Sequence, residues 1–176
     1  MQVLDLGGNN LQILPREVFS RHGLLNLQKL KLSHCNIGQI DPTAFRGLTN
    51  LVELDLSFNF FDSIPIEAFK GLGNLKFLNL GSNKIKVGGE EESTFGTLEF
   101  QASQTLSSPF QTIKEVDLLS LSSLEYIDLS RNHIGEVMPG TFLGMNNLKG
   151  LDLSVNTVLK VTTPHWLQTD TVLGNH

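Results

Sequence analysis

The chain has 176 residues, 40% of them hydrophobic and 18% charged, with a formal net charge of −5. That balance describes a folding polypeptide rather than a disordered one, and its mild acidity offers no electrostatic footprint for nucleic acid or an anionic membrane. A single cysteine, Cys35, rules out an internal disulfide, and no apolar run reaches the roughly 18 residues of a bilayer span.

The first element, "MQVLDLGGNNL" from Met1, sets Leu4 and Leu6 on one side of a short strand and Asp5 on the other. The pattern returns as "LQKLKLSHCNI" at Leu27, "LVELDLSFNFF" at Leu51 and "LKFLNLGSNKI" at Leu75, then as "LEYIDLSRNHI" at Leu124 and "LKGLDLSVNTV" at Leu148. The starts lie 26, 24, 24, 49 and 24 residues apart, and 49 is 24 plus 25. One weakly marked unit therefore fits the gap. The units are expected near 1–26, 27–50, 51–74, 75–99, a degenerate 100–123, 124–147 and 148–171.

Between strands the return is patterned too. Leu11/Leu14, Ile37/Ile40, Phe61/Ile64, Ile134/Val137 and Val158/Val161 follow the strands, and an aromatic comes eight residues after the first of each pair: Phe19, Phe45, Phe69, Phe142 and Trp166. Prolines beside them (Pro15, Pro42, Pro65, Pro139, Pro164) hold an extended course and discourage a full helix. Segments such as "PTAFRGL" and "PIEAFKGL" are expected to form a single helical or 3-10 turn, and the aromatics to stack into a spine.

Lys86 to Leu118 breaks the rule. Counting back from Phe110, the inward positions fall on Ser103 and Thr105 and the ninth position on Ser108, while Glu90-Glu91-Glu92 reads as an exposed loop. An irregular coil, a partner-binding projection and a stretch stitched in by splicing or a gene-model error are three readings of it.

Six copies of LxxLxLxx(N/C)xL resemble the leucine-rich repeat. The resemblance implies an α/β solenoid: a right-handed horseshoe with a concave parallel β-sheet and an irregular or short-helical convex side. The ninth-position residues Asn9, Cys35, Asn59, Asn83, Asn132 and Asn156 are then a structural ladder, each tying its own coil to the next. Cys35 reads either as a rung, which the consensus admits, or as a reactive thiol. The 24-residue unit with its Pro-x3-Phe-like return is similar to the extracellular "typical" class, and Gly23 to Asn59 resembles insect Kekkon-type receptors. Toll-type receptors and slit-like matrix proteins share that repeat class.

Catalysis and metal binding find no foothold. The five histidines are dispersed, Cys35 has no cysteine partner, and no glycine loop carries a phosphate-binding lysine, so neither an enzyme nor a cofactor is expected. Interest moves to the outward residues. Phe77 and Tyr126 hold the third position of their units, Phe58 and Arg131 the eighth, and Asp55 and Asp128 the fifth; these are the candidate partner-binding residues of the concave face. Phe58 and Phe77 are expected to share one patch. The acids read either as a strip for a cationic partner or as ordinary "LDLS" composition.

The reading is a protein–protein interaction module, the ligand-binding part of a cell-surface receptor or secreted matrix protein. It binds a protein ligand or co-receptor, with no nucleic acid and no membrane contact from this segment. The alternative is a non-catalytic structural or intracellular scaffold. No signal peptide or transmembrane segment is present, and both ends fall at unit boundaries, so the segment reads as a fragment of a longer array, extracellular if so.

Overall fold

The computed structural model describes residues 2–86, 121–137, 142, 144–157 and the strand residues 160–161 and 172–173. Each unit opens with a very short strand because only three residues alternate cleanly before a polar turn. The strands, numbered in chain order, are β1 (Val3–Asp5), β2 (Ile13–Leu14), β3 (Lys29–Lys31), β4 (Gln39–Ile40), β5 (Glu53–Asp55) and β6 (Phe77–Asn79). There follow β7 (Tyr126–Asp128), β8 (Glu136–Val137), β9 (Gly150–Asp152), β10 (Lys160–Val161) and β11 (Val172–Leu173).

Seven of them form one sheet in the order β1-β3-β5-β6-β7-β9-β11, and every recorded pairing in it is parallel. Equal unit lengths put equivalent residues opposite one another: Leu4 pairs with Leu30, Leu30 with Leu54 and Leu54 with Leu78. On the return side two short parallel pairs, β2 with β4 and β10 with β8, repeat the arrangement. Among the described residues the rest of that side is mainly turns, with 3-10 segments that include Ser20–His22 and Ile66–Phe69, the latter within "PIEAFKGL" as expected.

The core is a column beneath the sheet. Leu30, Leu32, Leu54, Leu56 and Leu80 are wholly buried, as are Leu27, Leu51 and Leu75 at the unit starts. Cutting one of these leucines back to alanine costs about 2–5 kcal/mol in a packed interior. Phe19 stacks on Phe45 and Phe45 on Phe69, with ring centroids 5.8 and 6.2 Å apart, so the spine predicted from the eight-residue offset is present there. Phe142 is buried as well, and Trp166 lies outside the described residues.

The asparagine ladder runs in the opposite direction to the one expected. Asn59 donates to Leu56 O of its own coil at 2.9 Å and to Leu32 O of the preceding coil at 2.9 Å, and its oxygen accepts from Cys35 N and Ile37 N at 3.1 and 2.9 Å. The carbonyl at the end of a strand thus accepts from two asparagines, its own and the next coil's, as Leu56 O does from Asn59 and Asn83. Asn83, Asn132 and Asn156 repeat the scheme. Asn9 is exposed and reaches only Leu6 O, at 2.8 Å. Cys35 is wholly buried, with Sγ directed at Leu6 O at 3.0 Å, which places it as a rung.

The sheet carries β6 directly against β7, pairing Phe77 with Tyr126, Leu78 with Ile127 and Asn79 with Asp128. Leu80 N donates to Asp128 O at 2.9 Å and Ser82 N to Ser130 O at 2.8 Å, the same bonds that join the other neighbouring coils from β1 to β9. The degenerate unit at 100–123, with Ser103, Thr105 and Ser108, falls almost entirely on residues outside those described. In the sheet itself, unit 75 abuts unit 124.

Candidate functional site

Two columns of side chains stand out from the open face of the sheet. The third positions give Val3, Lys29, Glu53, Phe77, Tyr126 and Gly150; the fifth give Asp5, Lys31, Asp55, Asn79, Asp128 and Asp152, each residue in register with the next. Strand alternation puts both columns opposite the buried leucines. All the column residues but Val3, Asp5 and Lys31 line a concave groove of about 780 Å3 running from Lys29 to Asp152.

Its centre is aromatic. The Phe77 and Tyr126 rings are parallel to within 7°, with centroids 5.6 Å apart, although they are 41% and 47% exposed. Large rings left in water on a sheet face are enriched in binding hot spots. Beyond Tyr126 stands Gly150, and the ring leans over it: a Cβ at 150 would overlap Tyr126 Cδ1 and Cε1. The missing side chain at Gly150 makes room for the tyrosine. Nothing in the repeat pattern singled out that glycine.

The carboxylates have a local role as well. Asp55 Oδ1 accepts from Ser57 N at 3.0 Å and from Ser57 Oγ at 2.7 Å; Asp128 Oδ1 accepts from Ser130 N and Asp152 Oδ1 from Ser154 N, both at 2.8 Å. Each acid thus closes the turn that leaves its strand, which is why "LDLS" recurs. Asn79 does the same toward Gly81 N at 2.9 Å. One oxygen of each acid is occupied in this way.

The lysines beside the groove are paired. Lys29 Nζ lies 2.7 Å from Glu53 Oε2, and Glu125 takes Lys149 on one oxygen at 2.7 Å and Lys76 on the other at 2.8 Å. The two ammonium donors, Lys149 first, pull the Glu125 carboxyl down from 4.5 to about 2, and Glu125 in turn raises Lys149. Away from the groove, the Thr43 hydroxyl and N–H hold the Asp41 carboxyl below its usual value.

Phe58 and Arg131 belong to another place. Both sit in the turn after their strand, at φ of 53°, and Phe58 stacks on His34 with centroids 4.1 Å apart. Phe58 therefore shares a cluster with His34, while Phe77 shares one with Tyr126. Phe58 is not among the residues lining the groove. The left-handed conformation recurs at this position through Gly8, His34, Phe58, Ser82, Arg131 and Val155, although only Gly8 advertises it in sequence.

Among the described residues no group of three His, Cys, Asp or Glu side chains is placed to hold a metal ion, and no helix is long and apolar enough to cross a membrane.

The comparisons with known proteins accord with this geometry. The family model described as leucine rich repeat matches residues 25–85 and 110–169. The crystal structure of the APL1 leucine-rich repeat domain superposes with a TM-score of 0.68 at 18% identity, over 93% of this chain and 35% of that one. The TLR13–ssRNA13 complex gives 0.61 at 30% identity over 98% and 24%, and internalin C2 from Listeria monocytogenes gives 0.60 at 22% over 99% and 62%. The chain thus spans between 24% and 62% of the length of these three structures. No curated protein sequence matches it. Stacked parallel strands, an asparagine ladder and a family match over most of the sequence lead to one assignment: the chain belongs to the leucine-rich repeat family.

Proposed function

We propose that this segment is the ligand-binding repeat region of a cell-surface receptor or secreted matrix protein, and that it docks a protein ligand or co-receptor on its concave sheet face. Leucine-rich repeat domains generally mediate protein–protein interaction, and the fold here places one broad sheet face in solvent. The observation that carries the reading is the exposed, stacked Phe77–Tyr126 pair at the centre of that face. The Kekkon-like unit from Gly23 to Asn59 and the 30% identity to TLR13 support the receptor class and its extracellular side. Binding is by shape and patch complementarity, without covalent chemistry.

The test is site-specific photocrosslinking on cells, with benzoylphenylalanine at Phe77 on the concave face or at the exposed Glu67 on the return side. The expected result is one protein partner captured from position 77 and lost with Tyr126→Ala, while the unfolding free energy stays within about 0.5 kcal/mol. Equal capture of that partner from position 67 would sink the reading.

A further inference from the structure

We propose that the groove receives an arginine-bearing extended segment of a protein partner, the guanidinium lying against Tyr126 with its N–H groups directed at Asp128 and Asp152. This inference rests on the docking role of the concave face and specifies the chemistry that face selects.

Charge decides the occupant. The groove is lined by two lysines, and both are already engaged, Lys29 by Glu53 and Lys149 by Glu125. Asp55, Asp128 and Asp152 line the same groove with no ion-pair partner among the described residues. The unbalanced charge is therefore negative, and it stands beside an aromatic step. A phosphate-rich strand is repelled by such a lining, whereas a cation is attracted both to the carboxylates and to the ring faces.

Geometry decides which cation. Asp128 and Asp152 are register partners on adjacent strands about 4.8 Å apart, so their side chains rise side by side from the sheet. Each has committed Oδ1 to its own turn and keeps a second oxygen. Gly150, register partner of Tyr126, lets the ring lean toward the strand that carries Asp152. A planar, weakly hydrated guanidinium with several divergent N–H donors matches a flat ring flanked by paired carboxylates. A compact, strongly hydrated ammonium matches it less well.

Tyr126 is the sole tyrosine of the chain, so fluorotyrosine labelling gives one 19F resonance at the site. The 176-residue chain is titrated with the peptide acetyl-Arg-Gly-Arg-amide, with its lysine and citrulline counterparts, and with a single-stranded RNA oligonucleotide. The expected result is a saturable shift with the arginine peptide, about five-fold weaker with lysine and about ten-fold weaker with citrulline. D128N/D152N is expected to weaken the arginine shift to the citrulline level while keeping the fold, because Asn79 already closes the same turn with an amide oxygen. No shift with arginine, an equal shift with citrulline, an unaltered shift in D128N/D152N, or tighter binding of the RNA each overturns the proposal. If concave crosslinking to a protein partner persists in those cases, only the arginine assignment falls; if crosslinking fails too, the docking reading falls with it.

Discussion

The side-chain amide of Asn132 donates to the Leu80 carbonyl at 3.1 Å, joining residues 52 positions apart, and its oxygen accepts from Ile85 N at 3.0 Å. Asn59 makes the equivalent bond to Leu32 across only 27 positions. The junction between units 75 and 124 is thus held by the same rung as a junction between consecutive units. Asn132→Ala strands buried main-chain groups on both coils and is expected to lower unfolding free energy by about 2–4 kcal/mol in urea denaturation. Asn9→Ala, at an exposed rung with one bond, should change it by less than about 0.5 kcal/mol. Equal losses would show that the ladder is not what distinguishes them.

Gly150 and Tyr126 compete for one volume. Gly150→Val is expected to push the ring off its seat and abolish the Phe77 ring-current shift on the tyrosine resonances, at a cost of about 1–3 kcal/mol because Gly150 is buried beneath that ring. An unchanged tyrosine spectrum in that variant would mean the ring is seated elsewhere.

Glu125 bridges Lys76 and Lys149 across three neighbouring strands. Its carboxyl is lower when folded, about 2, than its ordinary 4.5. The folded state therefore binds the proton less readily, and the stabilisation from Glu125 is fully present above pH 4.5 and is lost as pH falls toward 2. Glu125→Gln should remove that component, so the stability gap between wild type and variant narrows across this window when denaturation midpoints are compared. A gap that is constant with pH would contradict the bridge.

Val155 takes φ of 54° with a β-branched side chain, a conformation that costs such residues on the order of 1–3 kcal/mol. It is 64% exposed, so little packing offsets the strain. Val155→Asn, which tolerates the left-handed region, is expected to raise the thermal midpoint and stabilise by about 0.5–1 kcal/mol. A lower midpoint would indicate that the valine makes contacts worth more than its strain.

Much of this architecture was legible in the residues. Leucines at fixed offsets specify a coil and equal unit lengths stack the coils in register. A solenoid can be read in this way because each residue meets its own equivalent one turn away. Hence the buried Leu30–Leu32 and Leu54–Leu56 pairs, the Phe19–Phe45–Phe69 spine and the polar rung were all visible beforehand.

What the sequence could not supply was adjacency across an irregular spacing and the local conformation of the turns. Phe77 and Tyr126 lie 49 residues apart, and they stack only because β6 pairs with β7. Phe58 stacks on His34 from a left-handed turn that phenylalanine does not signal. The ionic bridge at Glu125 and the space above Gly150 arise from the same stacking. Period alone determined that there would be a column and an open face; which side chains meet on that face depends on which coils touch, and that is a property of the folded chain.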